Sequence, residues 1–270
     1  MANTRHIERL ESQGKLFVTR QELTGDKALS SSSLRVMVHR LKKAGRLVSL
    51  GGGCYLIVPH LYKEAGAPPI EWYLDDYMKF LKINYYAGLL TAAAYHGASH
   101  QAPQVYQVIV DKKRKALKIG RSLILFIYKN PKSFKEQTSI QPLTSIDGTI
   151  SISSPESTAL DLLMYEKSAT SLNNIATIIA ELAPKLNQDT LKQLLEKIPP
   201  TYSQRLGYIL EKTSQDQSIT GPLLKTIKDS LKSKDVRYRL LHSATKRSKT
   251  DKKDFNWHLV INTSLEFDTI

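Results

Sequence analysis

The stretch SSSSLRVMVHRLKKAG, residues 30–45, decides the reading of the first quarter of the chain. Leu34, Val38 and Leu41 recur at i, i+4 and i+7 with Met37 beside them, which is the apolar stripe of an amphipathic helix. At about 100° per residue the opposite face carries Ser32, Val36, His39 and Lys43, flanked by Arg35 and Arg40. Serines at the start supply an N-cap, the last turn is rich in lysine, and Gly45 stands where a C′ glycine closes a helix. The spacing predicts a helix with one side for a core and one side for an anion.

The flanking residues give this helix its setting. Upstream, residues 4–13 read as a first helix with Thr4 as N-cap and Ile7 and Leu10 on one face; Gly14 ends it. Leu16, Phe17 and Val18 follow as a short apolar run. Thr19 and Glu22 then have the spacing of a capping box, which starts a second helix. Downstream, RLVSLGGGCYLIVP, residues 46–59, places two β-rich runs, 47–50 and 54–58, around Gly51, Gly52 and Gly53, the pattern of a hairpin. Cys54 reads as a small apolar residue at the strand start. Three helices and a hairpin, in that order, make a winged helix-turn-helix over residues 1–62. Its third helix would enter a major groove and its hairpin would press on the backbone or minor groove.

Charge points to the same partner. The chain of 270 residues carries a formal net charge of +14, and residues 1–62 hold ten Lys/Arg against four Asp/Glu. No acid occurs between Asp26 and Glu64, whereas an ordinary solvated face mixes signs. Ser32, Arg35, Val36, His39 and Lys43 are placed to reach base edges, with Ser31 and Ser33 beside them at the helix start. Arg20, Arg40, Lys42 and Arg46 are expected to hold phosphates, and Gly51, Gly52 and Gly53 to form the tip of the wing.

The remainder reads as a larger mixed α/β domain over residues 70–270, entered through a Gly/Pro connection at 60–71, so the fold class is α+β. Its β-containing part spans 70–153. Helices are expected at 72–83 and 86–96, the latter rich in small residues, and strands at 105–110, 123–128 and 150–153. The part from 155 to 235 is helical, with segments 155–166, 171–182, 189–197, 202–213 and 221–232 divided by Pro184, Pro199-Pro200 and Pro222. A basic loop at 243–254 precedes a last strand, 257–261, returning to the sheet.

Enzymatic signals are few. Phosphate-loop, nucleophile-elbow, dinucleotide and zinc-helix signatures are all missing from the sequence, so no cofactor is expected. His96 and His100 lie four apart with Gly97 between them and no third ligand nearby, which favours a satisfied helix-end histidine over a metal site. Asp111 with Lys112 and Lys113, after the apolar run 108–110, could hold a divalent metal and a phosphate if Asp75 or Asp76 completed the set. That leaves a metal-dependent nuclease as an alternative, and a ligand-sensing regulator as another. Ser157 and Thr158 suit the first turn of a helix better than the role of nucleophile. A single cysteine, a polar start and the lack of any long apolar run predict a cytoplasmic protein with no membrane partner.

Four further stretches, together with the winged helix and its Gly-rich hairpin, resemble one known family. YYAGLLTAAAYHGASHQAPQVYQVIV (85–110) and ISSPESTALDLL (152–163) are similar to the AbiEi antitoxins of type IV toxin–antitoxin, abortive-infection systems. QRLGYILE (204–211) and FNWHLVIN (255–262) match more loosely in kind and order. The resemblance implies a non-enzymatic protein whose N-terminal domain binds inverted repeats of double-stranded DNA in its own promoter and represses the operon. It implies a C-terminal domain that neutralises a cognate nucleotidyltransferase toxin, functionally and not necessarily by direct contact. It supplies no catalytic residues.

Overall fold

A computed structural model describes residues 2–25, 30–99, 103–145, 148–214 and 216–266. The chain opens with α1 (Ala2–Ser12), β1 (Phe17–Thr19), α2 (Arg20–Thr24), α3 (Ser31–Lys43), β2 (Leu47–Gly51) and β3 (Cys54–Ile57). The three strands form an antiparallel sheet in the order β1-β3-β2, which is the arrangement of a winged helix. The capping box is present: the Glu22 amide donates to Thr19 Oγ1 at 3.3 Å, and the Thr19 amide donates to the Glu22 carboxylate at 2.8 Å. At the far end of α3, the Gly45 and Arg46 amides donate to the Lys42 and Leu41 carbonyls, with Gly45 at φ +69°. This is a Schellman closure, which needs the left-handed backbone that glycine adopts at low cost. Because α1 begins at Ala2, Thr4 lies within its first turn and is not its cap.

Two 3₁₀ turns (His60–Tyr62 and Ile70–Trp72) lead to α4 (Leu74–Leu81), shorter than the expected 72–83. The segment 86–96 is not one helix. It divides into β4 (Tyr85–Ala87) and α5 (Leu89–Tyr95), with Gly88 as the joint. Then come β5 (Tyr106–Val110), β6 (Leu117–Ile119), β7 (Ser122–Tyr128), α6 (Pro131–Glu136), β8 (Ile140–Ser145) and β9 (Gly148–Ser153). The six strands from β4 to β9 form a mixed sheet in the order β6-β7-β5-β4-β9-β8, with parallel pairing of β5 to β7 and of β4 to β9.

Side chains alternate through this sheet, and both faces are covered. Tyr85, Ala87, Val108, Val110, Ile124, Phe126, Ile150 and Ile152 share a core with the winged helix and α4, through Leu34, Met37, Leu56, Leu74 and Tyr77. Tyr86, Ile109 and Ile127 point the other way, into a helical core. The molecule therefore has three layers: winged helix and α4, sheet, and helices.

The helical layer comprises α7 (Pro155–Met164), α8 (Glu166–Ala169), α9 (Leu172–Leu182), α10 (Gln188–Lys197), α11 (Pro200–Thr213) and α12 (Gln217–Lys232). Pro200 occupies the first turn of α11, where its missing N–H costs nothing. Pro222 does not break a helix as its position suggests, since α12 starts five residues earlier and runs through it. The last strand joins a different sheet from the one expected. β10 (Arg239–Leu240), β11 (Lys252–Asp254) and β12 (Leu259–Ile261) form their own sheet in the order β10-β12-β11, so part of the basic loop is a strand. Among the described residues, no helix is long and apolar enough to cross a membrane.

Trp257 fixes this small sheet to the helices. Its indole is fully buried, its Nε1 donates to Glu211 at 2.8 Å, and its ring lies where a Cβ on Gly207 would be. Gly207→Ala is expected to lower unfolding free energy by roughly 1 to 3 kcal/mol through overpacking, read by urea denaturation. An unchanged urea midpoint would show that the ring does not occupy the space beside Gly207.

Candidate functional site

On α3 the apolar stripe is turned inward, with Leu34 and Met37 buried. Ser31, Ser32, Ser33, Arg35, Val36, His39, Arg40, Lys42 and Lys43 are all exposed, and Val36 shows 50% of its surface, high for an aliphatic side chain. The Ser33 amide donates to Ser30 Oγ at 3.2 Å, which caps the helix start. Arg20, exposed at the head of α2, reaches Ser31 Oγ at 3.5 Å and so stands beside the start of α3. Among the described residues, no ion pair engages Arg20, Arg35, Arg40, Lys42 or Lys43. An exposed cationic face without internal counter-charge is open to phosphate oxygens.

Arg46 must be withdrawn from this set. It is 7% exposed, its Nε donates to the Val58 carbonyl at 3.1 Å, and its guanidinium also meets Glu11 and His60. Its donors bind α1 and the end of the hairpin together, so they are not available to DNA. Gly51, Gly52 and Gly53 are exposed at the wing tip with φ of +88°, +61° and +83°. The tip is not free in space, because a Cβ on Gly52 would lie 3.9 Å from the ring of Phe80 in α4.

A second polar constellation, not singled out from the sequence, lies between the sheet and the helices. Lys129, at the end of β7, is 2% exposed and donates to Asp161 of α7 at 2.9 Å, to Tyr86 Oη at 3.2 Å and to the Gln137 carbonyl at 3.2 Å. Tyr86 donates to the other oxygen of Asp161 at 2.7 Å. Burial, followed by the neighbouring Asp161 carboxylate, raises the Tyr86 phenol well above its ordinary value, so it remains a donor. An acid within the apolar run TALDLL is the available signal, because a charge on a buried helical face needs a partner.

The rest of the Ser-Pro-Glu-x-Thr-x-x-Asp segment is similarly occupied. Ser154 caps α7 by accepting from the Ser157 amide, and Ser157 Oγ accepts from the Ser139 amide at 2.6 Å. Thr158 donates to the Ser154 carbonyl at 2.8 Å, and Glu156 accepts from the Asn187 amide at 2.6 Å. His96 donates from Nε2 to the Ser153 carbonyl at 2.8 Å. Burial lowers its pKa, against the hydrogen bond to that carbonyl and the nearby Glu156, with Lys185 adding to the lowering. His100 lies outside the described residues. Asp111 accepts from the backbone and side-chain nitrogens of Asn84 at 3.1 and 2.6 Å, and Asp75 accepts from Tyr85 Oη and pairs with Lys79. Among the described residues, no three His, Cys, Asp or Glu side chains are grouped to hold a metal. The region behind 85–95 is filled, with Tyr86, Leu89, Ala92 and Ala93 at zero exposure.

Residues 86–212 match the family model of the AbiEi antitoxin C-terminal domain, and the resemblance seen in the sequence holds over that segment. No curated protein matches the chain. The fold is similar to that of the RV2827C protein of Mycobacterium tuberculosis, with a TM-score of 0.65 and 16% identity over 95% of this chain and 90% of that one. A nucleotidyltransferase-like antigenic protein of Paracoccidioides brasiliensis aligns at a TM-score of 0.34 and 13% identity, covering 58% of this chain and 91% of that one, too distant to bear on the fold.

The buried pair makes a direct test of the central seam. Lys129→Met leaves Asp161 charged and unpaired, and should cost about 3 to 5 kcal/mol in urea unfolding. Lys129→Met combined with Asp161→Leu removes both charges and should regain most of that stability. A double variant no more stable than the single one would show that the charges are not coupled.

Proposed function

We propose that the chain is a DNA-binding repressor of its own promoter and the antitoxin of a type IV toxin–antitoxin system, acting against a nucleotidyltransferase toxin, and that it is not an enzyme. The observation that carries the DNA half is the exposed cationic face of α3, which among the described residues makes no internal ion pair. The antitoxin half is supported by the match of residues 86–212 to the AbiEi C-terminal domain. In this reading Ser32, Arg35, Val36, His39 and Lys43 face base edges. Arg20, Arg40 and Lys42 hold phosphates, with Ser31 and Ser33 at the helix start. The operator is expected to contain inverted repeats, each read by one α3 in the major groove.

Readout and anchoring are separable by substitution. Lys43→Ala or His39→Ala should relax preference at particular operator bases, costing roughly 1 to 3 kcal/mol where the side chain makes a good hydrogen bond to a base edge. Lys42→Ala should weaken all sequences about equally and lower the salt slope by about one. Arg46→Ala should instead lower thermal stability and leave the salt slope of the folded fraction unchanged. Equal weakening on every sequence from Lys43→Ala and Lys42→Ala would mean that α3 presents a different face to the groove.

The two activities should also separate in cells. The double variant Arg35→Ala/Lys43→Ala is expected to lose repression of a promoter fusion and still protect cells that express the toxin, at matched protein levels. Protection lost together with repression, with the protein still abundant, would tie neutralisation to the DNA-binding face and end the proposed division.

A further inference from the structure

The turn that joins β11 to β12 sends its aromatic residues to opposite sides. Trp257 points inward and is fully buried, whereas Phe255 leaves 77% of its surface in solvent, about twice the exposure of any other Phe, Tyr or Trp ring among the described residues. Tyr238 and His258, both exposed, lie beside it. The Tyr238 ring meets Phe255 edge-on at 6.4 Å and His258 at 5.3 Å, and Lys253 Nζ stands 5.0 Å from its centre. Period-two alternation accounts for the grouping. Leu240, Val260 and Lys253 pair across the three strands on the side turned away from Leu259 and the helices, and Tyr238 and His258 lie two residues before the first two of them.

The turn is held from beneath. The buried side-chain amide nitrogen of Gln204 on α11 lies 3.0, 2.9 and 2.9 Å from the carbonyls of Arg237, Trp257 and His258. Asp254 accepts from the Trp257 amide at 2.7 Å. His258 sits at φ +50°, a left-handed conformation that a side chain adopts at a cost. These tethers keep Tyr238 and His258 side by side and hold Phe255 off the body of the protein.

The surroundings are cationic. Residues 234–258 hold eight Lys/Arg against three Asp/Glu. Each of the three acids is engaged: Asp235 pairs with Arg237, Asp251 accepts from the Ser248 amide at 2.6 Å, and Asp254 holds the turn. Lys246, Arg247, Lys249 and Lys253 are exposed, and among the described residues no ion pair engages them. The first three belong to the loop between β10 and β11. Asn262 anchors that loop by donating to the His242 and Thr245 carbonyls at 2.9 and 2.7 Å, at the end of β12 away from His258. A three-residue strand, about 10 Å long, thus separates an aromatic end from a cationic end, with Lys253 between them.

We infer that this outer face of the small sheet binds a single-stranded stretch of nucleic acid. Phe255, Tyr238 and His258 stack on unpaired bases, and Lys253 with the loop cations holds the phosphates. The bases must be unpaired, because in a duplex their faces are already stacked on one another and only edges and phosphates are offered. A protein partner suits the patch less well, since lysine is depleted at protein interfaces and supplies most of the charge here. The surface lies across the central sheet from the winged helix and outside residues 86–212, so it is independent of the reading of α3 and of the family match. RNA and single-stranded DNA offer the same base faces and phosphates, and the test separates them.

The test uses the full chain and fluorescein-labelled probes of about 12 nucleotides: a mixed-sequence RNA, DNA of the same sequence, and the DNA duplex. Anisotropy reads affinity, and 2-aminopurine placed within the strand reports stacking by the quenching of its fluorescence. Wild type should bind the single strands and quench the probe, and the tighter of the two arms identifies the sugar. Phe255→Ala should weaken single-strand binding roughly tenfold and abolish the quenching, with duplex binding unchanged, and Phe255→Tyr should restore both. Lys246→Gln/Arg247→Gln/Lys249→Gln should lower the slope of log K against log salt by about one to two, at roughly 0.7 per phosphate on a single strand. Arg35→Ala/Lys43→Ala should bind the single strands as wild type does. Wild type that binds no single strand at low salt overturns the inference, as does Phe255→Ala that binds and quenches unchanged. Single-strand binding lost in Arg35→Ala/Lys43→Ala would place it on α3 and overturn the inference as well.

Discussion

The central sheet is apolar on both faces, and much of the architecture follows from the need to cover each of them. Val108 and Val110 point to one side and Ile109 to the other, and all three are fully buried. A strand of this kind leaves no face for water, so each side needs a lid. The helices from α7 onward supply one lid, and the winged helix with α4 supplies the other. Burying a side chain the size of Ile or Phe stabilises by roughly 1.5 to 3 kcal/mol. The contacts that join Phe17 and Leu50 to Tyr77 and Phe80 therefore amount to shared structure. A winged helix in other settings often hangs from a linker. Here it is part of the wall of the core.

Across the sheet the fixing device is polar. Lys129, Asp161 and Tyr86 come from β7, α7 and β4, and each satisfies the others inside a dry layer. Apolar packing alone tolerates sliding of a helix over a sheet. A buried charge does not, because a small displacement leaves an ion without its partner. Glu156 on the Asn187 amide and His96 on the Ser153 carbonyl extend the same restriction along α7. The Ser-Pro-Glu-x-Thr-x-x-Asp segment thus specifies the position of one helix, which accounts for its polarity.

Local chemistry in the sequence accounts for what is legible there. The capping box at Thr19, the stripe on α3 and the glycine closure at Gly45 are decided within a few residues, and the structure has all three. The strands β5, β7 and β9 are visible as β-branched runs between turns. Features decided by distant partners are not. Tyr85–Ala87 borders a run of alanines and leucines, and only its pairing with β5 and β9 makes it a strand. Arg46 looks like its neighbours Lys42 and Lys43 until Glu11, 35 residues away, is seen to hold it. Lys129 has the look of an ordinary charged strand end, since Asp161 lies 32 residues further on. The last strand is recognisable as a strand, but its pairing depends on β10 and β11, both too short and too polar to announce themselves.

These two kinds of contact bear on how the two proposed activities are connected. The winged helix and the sheet share one core, and the sheet and the helices share another, so β4 and β5 belong to both. Tyr85 and Tyr86 are consecutive residues that face opposite cores. Tyr85 donates to Asp75 of α4, on the winged-helix side, and Tyr86 to Asp161 of α7, on the helical side. Closely packed interiors transmit displacement rather than absorb it. A force that shifts α4, next to the wing, acts on the strand that also positions α7. The two faces can carry separate functions, since the residues exposed on each are different. They cannot be mechanically indifferent to one another, because a single strand of three residues is held by hydrogen bonds from both sides.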